Sequence, residues 1–212
     1  WIQGGPWFGF DVTHSRIVGT EQLLIWMAED PDLVSDIFNT QLDCSLQLLD
    51  MVWDEGFTLD AIRWPDDMGY RNGPFFSVDM YRQMLKPVQQ RAIDWAHARG
   101  IVAELHSCGN IMPLVPDLLD MGLDALNPLE VKAGMDPIEL KRHYGERIVF
   151  HGGVNAMLWD DIDAIEAEIR RLLPVLKEGS GYIFQEDHSI PDSVSLGNYR
   201  RIVDVARELG TY

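Results

Sequence analysis

The most constraining feature of this sequence is a regular alternation between short apolar runs and longer amphipathic stretches. Six apolar runs have the length of β-strands, and each ends near Gly, Pro, Asp, Asn or His. They cover residues 1–8, 59–64, 101–106, 124–127, 148–151 and 182–185. Strands that alternate with helices pair in parallel through right-handed crossovers, so the pattern predicts an α/β fold.

The stretches between these runs carry clear signals for helix ends. Thr20 is predicted to cap a helix that starts at the following residue, and Asp30 to cap one that opens with Pro31. A helix over residues 77–99 contains Pro87, which should kink or divide it. Further helices are predicted at residues 111–121, 137–144, 161–177 and 196–209.

Size and charge narrow the classes of function. A chain of 212 residues suits one domain, predicted over residues 1–212. Its formal net charge of −17 repels phosphate backbones and anionic lipids, so nucleic acid and membrane surfaces are not expected partners. No apolar run approaches the ~20 residues of a membrane helix. The two cysteines, Cys44 and Cys108, show no disulfide spacing, and a cytoplasmic location is expected.

Two architectures remain open for such a set of parallel strands, a closed barrel and an open doubly wound sheet. No Gly-x-Gly-x-x-Gly motif follows a strand, so a dinucleotide site is not indicated. A (β/α)8 TIM barrel has eight units and usually ~250 residues, two units more than the six found here. On the barrel interpretation, the chain is an incomplete barrel whose first two strands would precede Trp1.

Several segments, in order along nearly the whole chain, carry a resemblance to a known family. They are Gly4-Gly5-Pro6-Trp7, Ser77 with Tyr81 and Lys86-Pro87, His106-Ser107-Cys108-Gly109-Asn110, residues 122–128, Gly152-Gly153-Val154-Asn155, and Asp187-His188-Ser189-Ile190-Pro191. Together they resemble the uroporphyrinogen decarboxylase superfamily. The resemblance implies a (β/α)8 barrel, and the six predicted strands would match its third to eighth.

The resemblance implies an enzyme of one of two kinds. One branch of the superfamily consists of methyltransferases that move a methyl group between a corrinoid protein and a thiol or folate. The other decarboxylates uroporphyrinogen III in porphyrin biosynthesis and uses no cofactor. We expect the methyltransferase, with a small-molecule substrate and a corrinoid protein as partner. Decarboxylation is the first alternative, and an inactive barrel fragment or a binding module for a corrinoid protein is the second.

A metal site is the main chemical expectation. His106 and Cys108 lie two residues apart at the end of a predicted strand, so their side chains point to the same face. Imidazole and thiolate are ligands that zinc prefers. The resemblance implies a third ligand after the last strand, where thiol methyltransferases have Cys and this chain has His188. The decarboxylase branch has a metal-free His there, so His188 is also a catalytic candidate. Glu104 is a possible fourth ligand.

Other candidates follow from their place at the ends of strands, where barrel enzymes carry their sites. Asp66 and Asp67 are predicted catalytic carboxylates, although neighbours on an extended segment point apart and at most one should face the site. Tyr70 and Arg71 on the same loop are predicted to bind substrate, Arg71 through a carboxylate or phosphate. Trp7 is predicted to wall the pocket. The alternative for Asp66 and Asp67 is a polar turn, for Arg71 an arginine exposed to solvent, and for Trp7 an aromatic residue of the core.

Three further residues are predicted to bind substrate. Asn127 ends a predicted strand, and Glu130 follows it, either as a partner of a histidine ligand or as a helix cap. Gly153 lies in a pair of glycines that allows the backbone to approach a ligand closely. His151, directly before the pair, faces either the site or the helices.

Overall fold

A computed structural model describes residues 1–211, which form two compact units that meet in sequence between Ala125 and Leu126. Parallel strands alternate with helices through both units, as the apolar pattern predicts. Among the residues described, no helix is both long enough and apolar enough to cross a membrane.

The first unit contains a short parallel sheet and a separate hairpin. Its strands are β1 (Gln3–Gly4), β2 (Ala61–Pro65), β3 (Gly69–Tyr70), β4 (Gly73–Pro74) and β5 (Val102–His106). Strand β2 pairs in parallel with both β1 and β5, and β3 pairs with β4 in antiparallel fashion. Strand β1 is much shorter than the predicted strand over residues 1–8, and Pro6, two residues past its end, has no N–H with which to extend the ladder.

The helices predicted in the first unit are present, with ends close to those predicted. They are α1 (Phe10–Val12), a π-helix (Thr13–Ile17), α2 (Thr20–Glu29), α3 (Pro31–Asp54), α4 (Val78–Met80), a second π-helix (Tyr81–Leu85), α5 (Lys86–His97), a 3₁₀ turn (Met112–Leu114) and α6 (Val115–Asp120). Asp30 accepts a hydrogen bond from Leu33 N and caps α3, as predicted. The predicted cap at Thr20 is wrong, because helix α2 begins at Thr20 itself and its N-cap position is Gly19, which has no capping side chain. Pro87 falls in the first turn of α5, directly after the π-helical segment, so the predicted long helix changes its hydrogen-bond pattern there.

The register between β2 and β5 separates an apolar face from a polar one. Trp64 lies beside Leu105, and both are fully buried. On the opposite face Arg63 lies beside Glu104, and Pro65 beside His106. Because side chains alternate along each strand, the polar face carries Glu104 and His106 toward the carboxyl ends of the strands.

The second unit repeats the alternation. Its elements are β6 (Ala125–Asn127, which begins in the first unit), a 3₁₀ turn (Val131–Ala133), α7 (Pro137–Tyr144), β7 (Val149–His151), a 3₁₀ turn (Ala156–Leu158), α8 (Ile162–Leu176), β8 (Tyr182–Ile183) and α9 (Leu196–Leu209). Strands β7 and β8 pair in parallel. Helices α8 and α9 bury a core that includes Trp159, Ile165, Ile169, Leu172 and Ile202.

Asp187 holds together the loops of the second unit. It is 2% exposed. Its two carboxylate oxygens accept hydrogen bonds from Val131 N and Ala156 N, each at 2.8 Å. Its own N–H donates to Val154 O at 2.8 Å. One side chain therefore satisfies two backbone donors that belong to different loops.

We expect Asp187→Ala to destabilise the chain, because both backbone donors lose their acceptor inside the protein. At 1–3 kcal/mol for each buried group left unsatisfied, the free energy of unfolding should fall by about 3 kcal/mol. Urea unfolding followed by circular dichroism measures it. Asp192→Ala, at an exposed position five residues on, is the control and should change stability by less than ~0.5 kcal/mol. Equal effects of the two variants would contradict this role of Asp187.

Candidate functional site

Three potential metal ligands converge where β2 and β5 end. The strand pairing continues past Pro65 and His106, because Asp66 N donates to His106 O at 2.8 Å. Asp67 follows at once on one chain segment and Cys108 on the other. His106 Nε2 lies 3.6 Å from Cys108 Sγ and 3.7 Å from Asp67 Oδ1. The three ligand atoms all lie within 4.8 Å of one another.

These separations suit a tetrahedral metal ion. Zinc bonds of about 2.0–2.3 Å at tetrahedral angles place neighbouring ligand atoms roughly 3.3–3.8 Å apart. The two distances from His106 Nε2, 3.6 and 3.7 Å, fall in that range. Asp67, His106 and Cys108 are each half-buried, so a small molecule can reach them. The donor set of one oxygen, one nitrogen and one sulfur is one that zinc accepts.

The loop that carries Cys108 is held by backbone contacts. Cys108 N donates to Asp67 Oδ1 at 2.8 Å, so the same carboxylate oxygen that faces His106 also orients the cysteine. Gly69 and Gly109 pack backbone against backbone, and a Cβ on Gly69 would lie 2.6 Å from Cys108 O. Gly109 adopts φ +77°, a conformation that side chains disfavour. Both glycines are therefore needed for this approach of the two loops.

A chain of polar side chains runs across the sheet beside this cluster. Arg63 Nη2 lies 3.0 Å from His106 Nδ1, and Arg63 Nε lies 3.7 Å from Glu104 Oε1. The other oxygen of Glu104 accepts a hydrogen bond from Gln3 Nε2 at 2.9 Å. Glu104, considered a possible fourth ligand, is outside the group of ligand atoms that could share a metal.

Asp66 points away from Asp67 and into the protein. Its two oxygens accept hydrogen bonds from Asp11 N at 2.9 Å and from Gln89 Nε2 at 2.8 Å. Gln89 Oε1 in turn accepts the hydroxyl of Tyr81 at 2.7 Å. Asp66 is fully buried, and the loss of solvation raises its pKa to about 7. Its proposed catalytic role stays a prediction.

The predicted substrate-binding residues of the first unit lie at its surface. Trp7 is 44% exposed, donates its indole N–H to Asp11 Oδ2 at 3.3 Å, and has the Arg16 guanidinium 5.6 Å from its ring. Tyr70 is 66% exposed, and Arg71 is exposed in the turn between β3 and β4. Their roles in substrate binding stay predictions.

Two predicted binding residues of the second unit have structural partners. Asn127 is buried and donates its amide to His151 O at 2.9 Å and to Gln185 Oε1 at 3.3 Å, which links the ends of two strands. Glu130 Oε1 lies 3.3 Å from Lys132 Nζ. A role of either residue in binding substrate is untested and stays a prediction.

Gly153 and His188 complete the predicted set. Gly153 adopts φ +83°, and a Cβ there would lie 2.6 Å from Pro137 Cγ, so packing already requires glycine at this position. His188 is exposed and follows the buried Asp187. Its predicted roles as metal ligand and catalytic residue stay predictions.

Two features of the site were not anticipated from sequence. Asp67 was predicted as a catalytic carboxylate, whereas its distance from His106 makes it a candidate ligand. The contact between Arg63 and His106 was missed altogether. A charged residue within an apolar strand is a signal that could have drawn attention to Arg63, but its partner depends on strand register.

Comparison with known proteins assigns this chain to a family. The family model described as uroporphyrinogen decarboxylase (URO-D) matches residues 3–209. The chain belongs to the uroporphyrinogen decarboxylase family. The family resemblance expected from the sequence motifs is thereby confirmed.

Two proteins that are similar to this chain are methyltransferases. The methylcobamide:CoM methyltransferase MtaA of Methanosarcina barkeri is 25% identical over 174 residues, which cover 79% of this chain and 49% of the relative. The solved structure of a methyltransferase from Methanosarcina mazei has a TM-score of 0.74 at 24% identity and covers 99% of this chain and 59% of its own. This chain thus spans about half the length of that curated relative. The structural likeness confirms the predicted α/β fold class of the TIM-barrel type.

The buried Asp66 predicts a pH dependence of stability in this URO-D family member. Burial raises its pKa from the ordinary value of 3.8 to about 7, so the folded state holds the proton more tightly. Stability from this group is therefore full below pH 4 and is lost as the pH rises through 7. Between pH 5 and 8 the loss should be about 3 kcal/mol.

Asp66→Asn should remove this part of the pH dependence, because the amide does not ionise and can exchange hydrogen bonds with Gln89. Urea unfolding of wild type and variant at pH 5 and pH 8 measures the difference. Asp79→Asn is the matched control, since the Asp79 side chain is 96% exposed, and it should behave as wild type. An unchanged pH dependence in Asp66→Asn would show that Asp66 titrates normally.

Proposed function

We propose that this chain carries the metal centre of a methyltransferase that moves a methyl group between a corrinoid protein and a thiol or folate. The single observation that carries the proposal is the convergence of Asp67, His106 and Cys108 at ligand distances. Membership of the URO-D family and similarity to a methylcobamide:CoM methyltransferase support it. Zinc is the proposed metal, because one nitrogen and one sulfur ligand favour it.

A zinc ion held there would lower the pKa of a thiol bound to it and so supply a nucleophile near pH 7. The chain's own residues would supply the ligands. His106 and Cys108 present a nitrogen and a sulfur from one strand end, and Asp67 adds an oxygen from the neighbouring one. Three protein ligands are typical of catalytic zinc sites, in which the fourth position takes the substrate.

Asp67 has two tasks in this proposal. It would offer one oxygen to the metal, and the same carboxylate accepts the backbone N–H of Cys108, so it also positions the residue that carries the sulfur ligand. The partial exposure of His106 and Asp67, 26% and 38% of their side chains, leaves the group open to a small substrate. His188, on the second unit, remains a proposed further ligand or catalytic residue.

The proposed substrate contacts are those predicted from sequence. Arg71 would pair with a carboxylate or phosphate of the substrate, and Tyr70 and Trp7 would contact its apolar part. All three are exposed on the first unit, which also carries the metal ligands. Asn127, Glu130 and Gly153 are proposed to contact substrate from the second unit.

Decarboxylation of uroporphyrinogen III is the second candidate, and the family match itself favours it. That reaction needs a positioned acid and fixed cations but no metal. Formation of coproporphyrinogen by metal-free protein, unaffected by Cys108→Ser, would support the decarboxylase and reject the methyltransferase.

We expect purified wild-type protein to bind about one zinc per chain, and Cys108→Ser to bind less than about a tenth of that, because the thiolate ligand is lost. Elemental analysis after dialysis against zinc measures the stoichiometry. Cys44→Ser is the matched control, since Cys44 is the other cysteine and is exposed on α3. It should retain wild-type zinc.

Asp67→Asn separates this site from one that uses other ligands. It should weaken zinc binding by roughly ten- to a hundredfold, because the amide is a poorer ligand and alters the contact with Cys108. Wild-type protein that binds no zinc, or a Cys108→Ser variant that binds as much as wild type, would reject the proposal.

A further inference from the structure

Arg63 makes an unusual contact with a proposed metal ligand. It lies in the middle of β2, with its side chain 27% exposed. Its Nη2 donates to His106 Nδ1 at 3.0 Å. The Nδ1 atom is the ring nitrogen that faces away from Cys108 and Asp67, whereas Nε2 is the one that faces them.

The direction of this hydrogen bond determines where the imidazole carries its proton. A guanidinium has only donors and remains charged in proteins, so Arg63 cannot accept a hydrogen bond. His106 Nδ1 must therefore accept, and the proton of the neutral ring lies on Nε2. That is the atom 3.6 Å from Cys108 Sγ, which a metal would require as a lone-pair donor.

A metal-bound histidine makes the opposite demand on its second nitrogen. When a neutral imidazole binds metal through Nε2, Nδ1 carries the proton and donates it, usually to a carboxylate, carbonyl or water. Arg63 offers no acceptor there. Neutral His106 therefore cannot bind metal through Nε2 while its Nδ1 accepts a hydrogen bond from Arg63.

We infer that Arg63 is a positioning residue that controls metal loading: it holds His106 in the tautomer that cannot bind metal through Nε2, and it withdraws when metal binds. This inference rests on the proposed metal site. The movement places the guanidinium with Glu104 and allows His106 Nδ1–H to donate instead of accept.

Glu104 is a suitable acceptor for the withdrawn arginine. Its Oε1 already lies 3.7 Å from Arg63 Nε, and the register pairs the two residues on neighbouring strands. Its side chain is only 8% exposed, and its other oxygen is held by the Gln3 amide. A short movement of the guanidinium is thus enough to exchange one partner for the other.

Charge alone would also make Arg63 disfavour a metal cation nearby, so the test separates charge from hydrogen bonding. Arg63→Lys keeps the charge and the donor. Arg63→Met removes both, and Arg63→Gln removes the charge and adds an amide oxygen that can accept from Nδ1–H, directly or through water. Zinc dissociation constants are measured at fixed pH by competition with a chromophoric chelator.

We expect Arg63→Gln to bind zinc at least about tenfold more tightly than wild type, with Arg63→Met between the two and Arg63→Lys close to wild type. A Gln variant that binds no more tightly than the Met variant would overturn the hydrogen-bond mechanism. Each variant's circular dichroism spectrum confirms that it is folded.

Nitrogen NMR of the unmutated protein provides a second test that no folding defect can obscure. With 15N-labelled histidine, metal-free wild type should show His106 protonated on Nε2 and not on Nδ1, and zinc should reverse the two. A metal-free His106 with its proton on Nδ1 overturns the inference. If neither wild type nor any variant binds zinc, the proposed metal site is overturned as well. If wild type binds zinc and Arg63→Gln binds it with the same affinity, only the role of Arg63 is overturned.

Discussion

The pairing of β2 with β5 is the constraint on which the candidate site depends. The ladder that sets Pro65 beside His106 continues into the hydrogen bond from Asp66 N to His106 O. Beyond that bond Asp67 lies on one segment and Cys108 on the other, and the Cys108 N–H donates to Asp67 Oδ1. A slip of one residue would turn every side chain of β2 to the opposite face and remove Arg63 from His106.

The loops above the strand ends turn this register into a defined arrangement of ligands. Asp67 accepts the N–H of Cys108, and the backbone contact between Gly69 and Gly109 brings the hairpin β3–β4 against the cysteine loop. These backbone and carboxylate contacts hold the three residues that carry the ligand atoms close to one another. Such preorganisation reduces the conformational entropy lost when a ligand or metal binds.

Neighbouring residues of this chain serve opposite purposes because extended backbone alternates its side chains. Asp66 enters the core, where Gln89 and the backbone of Asp11 satisfy it and burial raises its pKa. Asp67, one residue later, lies half-buried beside His106. The same alternation places Trp64 in the core and Arg63 on the face that carries His106.

By itself, the sequence determined the order of strands and helices, the cap at Asp30, the irregularity of the helix at Pro87, the family, and the shared face of His106 and Cys108. These features depend on local spacing or on a few residues in fixed order. Sequence could state that at most one of Asp66 and Asp67 faces the site, but not which one. Only the tertiary structure decided that Asp67 joins His106 and that Arg63 contacts its other nitrogen, because both contacts join segments about 40 residues apart through strand register, which local pattern does not encode.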